Sequence, residues 1–371
     1  MLNNYMGIIN LDENEDDIME LTVRRPLASV PIAGRYRIID FILSNMTNAG
    51  IENIGIFAKN NSRSLMDHIS NGRPWDLNRK KYGLRLFNFS TQSPESNDME
   101  AFMENLDFLK LSNQEYVIMA PSYMIYNIDF TEAARAHEES GNDITILYKK
   151  VNNADKAFKG CESLNINEEG RVLSVGRNVG DKKTLNVGME TYILKRELFI
   201  EMVSYCIRTG YCRKFKTGIY TSLERYKVGT YEFKGYLSCV NSLEKYFDTN
   251  MDFLNPKINA ELFSQTRPIM TKSKDEAPTK YTKNSKVINS IVANGSIIDG
   301  HVENCVISRR VKIGANTVLK NCIILQATDV GDDSHLSYVI TDKNVSIEGG
   351  KELKGDPEYP LVILKKKNFQ N

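Results

Sequence analysis

The stretch from Val287 to Gly349 constrains this chain most. Ile291, Ile297, Val302, Val306, Val311, Thr317 and Ile323 recur about every five to six residues, with the small or turn-forming Asn294, Gly295, Gly300, Gly314 and Asn316 between them. That rhythm is the signature of a hexapeptide-type parallel β-helix. Each coil buries its apolar residues only by stacking on the next, and those side chains fill a prism. Ordinary antiparallel strands would alternate with a period of two instead.

The texture upstream is different. Asn255–Ser285 is rich in Lys, Pro, Thr and Ser and reads as a linker. Before it, short apolar strands (Met6–Asn10, Asn53–Lys59, Tyr116–Ala120, Asp143–Tyr148) alternate with helical patterns. These patterns are the apolar run opened by Asp40, then Ser62–Asn71, Asp98–Leu111 and Thr131–Ser140. Such alternation predicts an α/β domain with a mainly parallel sheet covered on both faces. The expected organisation is therefore 1–253 for the α/β domain, 254–284 for the linker and 285–371 for the β-helix with a C-terminal tail.

With 371 residues the chain has room for two domains, and its net charge of +1 gives no reason to expect a nucleic acid or a membrane surface as partner. Cys161, Cys206, Cys212, Cys239, Cys305 and Cys322 are scattered and form no C-x-x-C pair. That predicts free thiols in a reducing compartment. There is no secretory signal pattern and no run long enough to span a bilayer, so the expected location is cytoplasmic. The histidines His68, His137, His301 and His335 show no triad or metal spacing and read as surface or structural.

The string Val30–Ile51, VPIAGRYRIIDFILSNMTNAGI, carries the functional signal. Pro31, Ala33 and Gly34 read as a turn, and Phe41, Ile42, Leu43 and Met46 follow at helical spacing up to Gly50. The string closely resembles the glucose-1-phosphate adenylyltransferase (ADP-glucose pyrophosphorylase) family, which carries VP-x-GGKYRIIDF-x-LSN-x-x-NSGI here. The resemblance implies a Rossmann-like nucleotide-diphospho-sugar transferase domain followed by a left-handed parallel β-helix. Both halves of the chain agree with it.

Position by position, the chemistry of that family is missing. Its phosphate loop has the form GG-x-G-[ST]-R-L-x-P-L-T, in which glycines let the backbone cradle a triphosphate. Here Asp12, Glu13, Asn14, Glu15, Asp16 and Asp17 stand in that place, five acids of six and no glycine. They read as a solvated acidic loop. The family's two Mg²⁺-holding aspartates fall on Tyr123 and on Cys239, the latter in the matching stretch GYLSCVNSLEKYFDTNMDF. A neutral phenol and a thiol are poor partners for a hard cation. The GTADA stretch becomes Asn97–Ala101, and the lysine of R-A-K-P becomes Leu27. The V-E-K-P motif keeps only a cation, Arg177, and Glu190 stands where a glycine is expected.

The resemblance thus implies a non-catalytic, regulatory subunit of that enzyme. Such a subunit supports ADP-glucose synthesis from ATP and glucose-1-phosphate for glycogen biosynthesis, in a hetero-tetramer with a catalytic homologue. No catalytic residue, no metal site and no tightly bound cofactor is expected in this chain, and Mg²⁺ belongs to the catalytic partner. Arg177 and Glu190 mark a vestigial sugar-phosphate site. Arg24, Arg25 and Arg37 match positions the family uses for phosphorylated activators between its domains. They are candidates for a sugar-phosphate effector site, against solvated surface charge as the alternative. Alone, the chain is expected to form a homo-oligomer. The competing readings are an active sugar-phosphate nucleotidyltransferase with unusual site residues, acting on glucose-1-phosphate or another sugar, and an acyltransferase using the β-helix, with His301 or His335 as its base.

Overall fold

The computed structural model describes residues 1–59, 62–88 and 97–365. They form two compact units, neither contiguous in sequence. The first holds Met1–Glu13, Ile39–Ser238 and Ser264–Met270. The second holds Asn14–Ile38, Cys239–Phe263 and Thr271–Asn371, of which 366–371 lie outside the described residues.

The first unit is built on a nine-stranded sheet. Its centre is parallel, with Tyr116–Ala120, Tyr5–Leu11, Asn53–Ala58 and Gly83–Asn88 side by side. All seven residues of Tyr5–Leu11 are buried, as a central strand covered on both faces requires. Beyond Tyr116–Ala120 the sheet turns antiparallel through the long strand Leu185–Lys195, which pairs on its other side with Ile144–Val151. The sheet is therefore mixed rather than mainly parallel. The helix expected over Asp98–Leu111 is broken at Asn105 into Asp98–Glu104 and Leu106–Lys110. Asn105 departs from helical geometry there, and its side chain turns back to bond the Ala101 carbonyl. Met99, Phe102, Leu106 and Leu109 still fill one core with Phe199 and Phe215.

The second unit is the left-handed β-helix with two early segments laid on it. Three five-stranded parallel sheets make its sides. Its corners recur in register: Asn289, Asn304, Asn321 and Tyr338 at one, Gly295, Arg310, Ala327 and Asn344 at the next, Asn316, Asp333 and Gly350 at the third. Every one of them has positive φ. Asparagine tolerates the left-handed region better than most residues, which explains its frequency in the repeat. Inside, Val302, Leu319 and Leu336 stack in one ladder and Ile298, Ile313, Val330 and Ile347 in another. Each such burial contributes about 1.5–3 kcal/mol. Ile297, expected inside, is exposed; in a two-residue strand one side chain faces out, and Ile298 is the one that faces in.

The segments 14–38 and 239–263 belong to this unit because they cover it. The hairpin Pro31–Ile32/Tyr36–Arg37 turns through Ala33 and Gly34, both at positive φ. A Cβ on Gly34 would come within 3.3 Å of the Ile291 side chain and the Ile307 carbonyl. Asn250 accepts the Ala33 N–H at 3.0 Å, and the buried Tyr246 hydroxyl donates to the Pro31 carbonyl at 2.6 Å. The stretch expected as the linker 254–284 carries a helix, Pro256–Leu262, and the first β-helix strand, Lys280–Tyr281. Phe263, just past that helix, stacks on Tyr36.

Candidate functional site

In the first unit a cleft of about 340 Å³, counting its part open to solvent, is lined by Asn10, Asp12, Glu13, Asp98, Met119, Pro121, Glu190, Tyr192 and Lys216. It lies at the carboxyl ends of Tyr5–Leu11 and Tyr116–Ala120, where open α/β sheets bind ligands. Only about 30 Å³ of it admits the centre of a water-sized sphere, far less than a small-molecule site offers.

The chain fills this cleft with its own ion pairs. Asp12 bridges Lys59 at 2.9 Å and Lys214 at 3.0 Å. Burial works to raise its carboxyl, but the two lysines outweigh burial and hold it below the usual range. Glu13 accepts from the Ser122 backbone at 2.7 Å and its hydroxyl at 2.6 Å. In the second unit, Glu15 accepts the Leu27 N–H at 2.6 Å. The stretch expected to be a solvated acidic loop is therefore solvated only in part: Asp12, Glu13 and Glu15 are half-buried and partnered, while Asn14, Asp16 and Asp17 are exposed. Three of its acids found donors that the local sequence does not reveal.

A second network surrounds Lys216. Its ammonium stands 3.1 Å from Glu162 and 3.0 Å from Glu190. Burial opposes its charge, but Glu190 and Glu162 outweigh burial and hold it well above the ordinary lysine range. Tyr123 donates to Glu190 at 2.8 Å, and Tyr220, bonded to Tyr192, donates to Glu162. Burial, then the charge of Glu190, pushes Glu162 up to about 7 against the pull of Lys216 and Tyr220. Asp98, from the stretch replacing the nucleotide-site motif, accepts from Asn10 at 2.7 Å and from the Phe215 N–H at 2.9 Å. Burial and Asp12 together push it up to about 7.

Glu190 owes its place to a break in the sheet. It sits where the ladder between Leu185–Lys195 and Ile144–Val151 shifts register, with φ +47. A glycine takes that conformation without strain, which accounts for the glycine expected there. Arg177, by contrast, is exposed on the outermost strand of the sheet and does not line the cleft.

The two expected metal positions do not fit Mg²⁺. Tyr123 spends its phenol on Glu190, and Cys239 is a buried thiol in the other unit. Among the described residues no group of three or more His, Cys, Asp or Glu side chains is arranged to hold a metal. All six cysteines are free thiols. His68 is buried against Asp40 at 2.6 Å, and His137 against Thr145 at 2.8 Å, with burial pushing His137 down to about 4. Among the described residues no helix is long and apolar enough to cross a membrane.

The second unit carries a cationic cluster. Arg25 is buried, donates to the Leu21 carbonyl at 3.0 Å and forms an ion pair with Asp342. Arg37 and Lys274 join it around the partly buried Lys343. Burial, Arg37, Arg25 and Lys274 bring the Lys343 ammonium down to about 7, against the opposing carboxylate of Asp342. Lys274 is also lowered, by burial and then by Arg309, Arg37 and Lys272. Arg24 is exposed. Lys274 and Lys343 escaped the sequence reading because each is far along the chain from Arg25 and Arg37.

Comparison with known proteins divides the chain by sequence, and its first match runs through parts of 14–38 and 239–263, which the fold lays on the β-helix unit. The nucleotidyl transferase family profile matches residues 18–252, and a GlmU-like C-terminal hexapeptide profile matches 276–360. The chain is 36% identical to the glycogen biosynthesis protein GlgD of Bacillus subtilis, over 98% of this chain and 97% of that one. It is 35% identical to GlgD of Geobacillus stearothermophilus at the same coverage. A glucose-1-phosphate adenylyltransferase of Mycoplasma mobile is 32% identical over 82% of this chain and 81% of its own.

Proposed function

Because this chain belongs to the nucleotidyl transferase family, in the group formed by glycogen biosynthesis proteins and glucose-1-phosphate adenylyltransferases, we propose that it is a regulatory subunit that performs no nucleotidyl transfer itself. In this reading it supports ADP-glucose synthesis for glycogen by binding a catalytic homologue in a hetero-tetramer in the cytoplasm. The homologue supplies Mg²⁺ and the reacting groups. The observation that carries the reading is the self-filled cleft. Lys59, Lys214 and Lys216 neutralise this chain's own carboxylates, and an arriving triphosphate would meet Asp12, Glu13, Asp98 and Glu190 at close range. A fold outlives its site when the lost interactions are replaced internally.

Regulation enters through the cationic cluster. Arg25 holds Asp342, while Arg37, Lys274 and Lys343 receive an anion such as the phosphate of a sugar phosphate. Like cations crowded around the single carboxylate Asp342 repel one another, and a bound anion relieves that repulsion.

Calorimetric titration with Mg-ATP tests the loss of chemistry, and no micromolar binding is expected. Micromolar, Mg²⁺-dependent affinity would overturn the reading. Light scattering tests assembly. The pure chain is expected to run larger than a monomer and to exchange into a mixed oligomer with a catalytic homologue. A strict monomer that never co-elutes would remove the means of regulation.

A further inference from the structure

We propose that the cleft of the first unit binds an ammonium group, the ammonium ion or the head of a small primary amine, beside Asp98 and Asn10. The site goes beyond the regulatory reading and does not depend on it. The cations at the cleft are engaged elsewhere, and Asp98 is passed over. Asp12 takes Lys59 at 2.9 Å and Lys214 at 3.0 Å. Glu162 and Glu190 share Lys216, at 3.1 and 3.0 Å. Asp98 is left with two neutral donors, the Asn10 amide nitrogen at 2.7 Å and the Phe215 N–H at 2.9 Å. Among the described residues no cation touches it, although it is only 2% exposed. A buried carboxylate calls for a counter-charge. Burial and Asp12 raise its carboxyl to about 7, against the pull of Phe215, Asn10 and Lys214.

A second observation is independent of charge. Asn10 is 7% exposed, and its Oδ1 accepts no hydrogen bond among the described residues. An ionised carboxylate only accepts, so the nitrogen end of the Asn10 amide faces Asp98 and the oxygen is the end without a donor. Both residues line the cleft, with Met119 and Tyr192. A cation that donates N–H bonds supplies what each lacks, a charge for Asp98 and a donor for Asn10. Its size agrees, because the cleft is open to solvent and admits a water-sized sphere, and an ammonium ion is about as large as a water molecule. A water would serve Asn10 and leave the charge of Asp98 unmet. A divalent metal collects six or more oxygens, and among the described residues no three His, Cys, Asp or Glu side chains converge to start such a shell. A cation held here also offsets the repulsion between Asp98 and Asp12, so it tightens the cleft.

The test compares thermal melts of the full chain at pH 8 in the chlorides of ammonium, methylammonium, sodium and potassium at equal concentration. Ammonium is expected to raise the melting temperature saturably, to at least about 2 °C above sodium, as a ligand of the folded state does. Methylammonium matching ammonium extends the ligand to primary amines, and methylammonium matching sodium restricts it to the ion. Potassium equal to ammonium, or no difference among the four salts, overturns the proposal. Methyl NMR of the methionine-labelled protein locates the site: Met119 is expected to shift with ammonium but not with sodium, while Met251 of the other unit stays. An unmoved Met119 overturns the site even if the melting temperature rises. Asp98→Asn keeps the shape and removes the charge, so it should abolish the ammonium effect, and a retained effect overturns the role of Asp98. If that variant does not fold, the Met119 titration of the unaltered chain decides.

Discussion

Replacing Lys216 by methionine isolates what holds the remodelled cleft together. Lys216 sits between Glu162 and Glu190, whose side chains are 14% and 15% exposed, while its own is 33% exposed. Removing one partner of a fully buried ion pair costs about 3–5 kcal/mol, because the other charge is left without compensation. Lys216 is partly solvated, so about 2–3 kcal/mol is the better figure. At roughly 2–4 °C per kcal/mol for a domain of this size, the melting temperature should fall by about 4–12 °C at pH 8. The sign of the pH dependence follows from Glu162. Its folded carboxyl is raised from 4.5 to about 7, so its stabilising contribution is full below pH 4.5 and lost as pH rises through 7. Without Lys216 the Glu162 carboxyl loses the charge that pulls it down and holds its proton more tightly still. The variant's deficit is therefore expected to be largest at pH 8 and nearly absent at pH 5. Thermal melts of both proteins at pH 5, 6, 7 and 8 read this directly. A deficit equal at pH 5 and pH 8, or no deficit at pH 8, would refute the reasoning.

Other substitutions probe the rest of the account. Glu190→Gly removes both a lysine partner and a strained positive φ, which is worth about 1 kcal/mol, so melts should show a much smaller loss than Lys216→Met. Lys343→Met should raise the melting temperature at pH 6 and abolish any further rise from added phosphate. A lysine lowered to about 7 in the folded state destabilises below that pH, and the penalty fades as pH climbs towards 10.5. Tyr246→Phe leaves the Pro31 carbonyl without its buried donor and should cost about 1–3 kcal/mol in denaturant titrations.

Both folds were legible in the sequence for definite reasons. The hexapeptide rhythm is written by corners that need left-handed residues, and the Val30–Ile51 string is long enough to be specific. What stayed hidden was whatever depends on distant partners. Asp12 and Glu13 look like solvated charge until Lys59, Lys214 and Ser122 are brought to them. Lys216 and Glu162 carry no motif at all, and the cleft network joins them across more than one supersecondary unit. The positive φ at Glu190 was foreshadowed by the glycine expected there, and that mismatch is the kind of signal that could have pointed to Lys216. The assignment of 14–38 and 239–263 to the β-helix unit was not readable, because contacts such as Tyr246 with Pro31 and Asn250 with Ala33 have no local signature.

The most direct test of the central claim is pyrophosphate release from ATP and glucose-1-phosphate in three samples: this chain alone, a catalytic homologue alone, and the two co-expressed. The account predicts no Mg²⁺-dependent turnover from this chain alone. It predicts turnover in the co-expressed complex that exceeds the homologue's own or responds differently to sugar phosphates. Turnover by this chain alone would contradict it, and so would a mixture indistinguishable from the homologue.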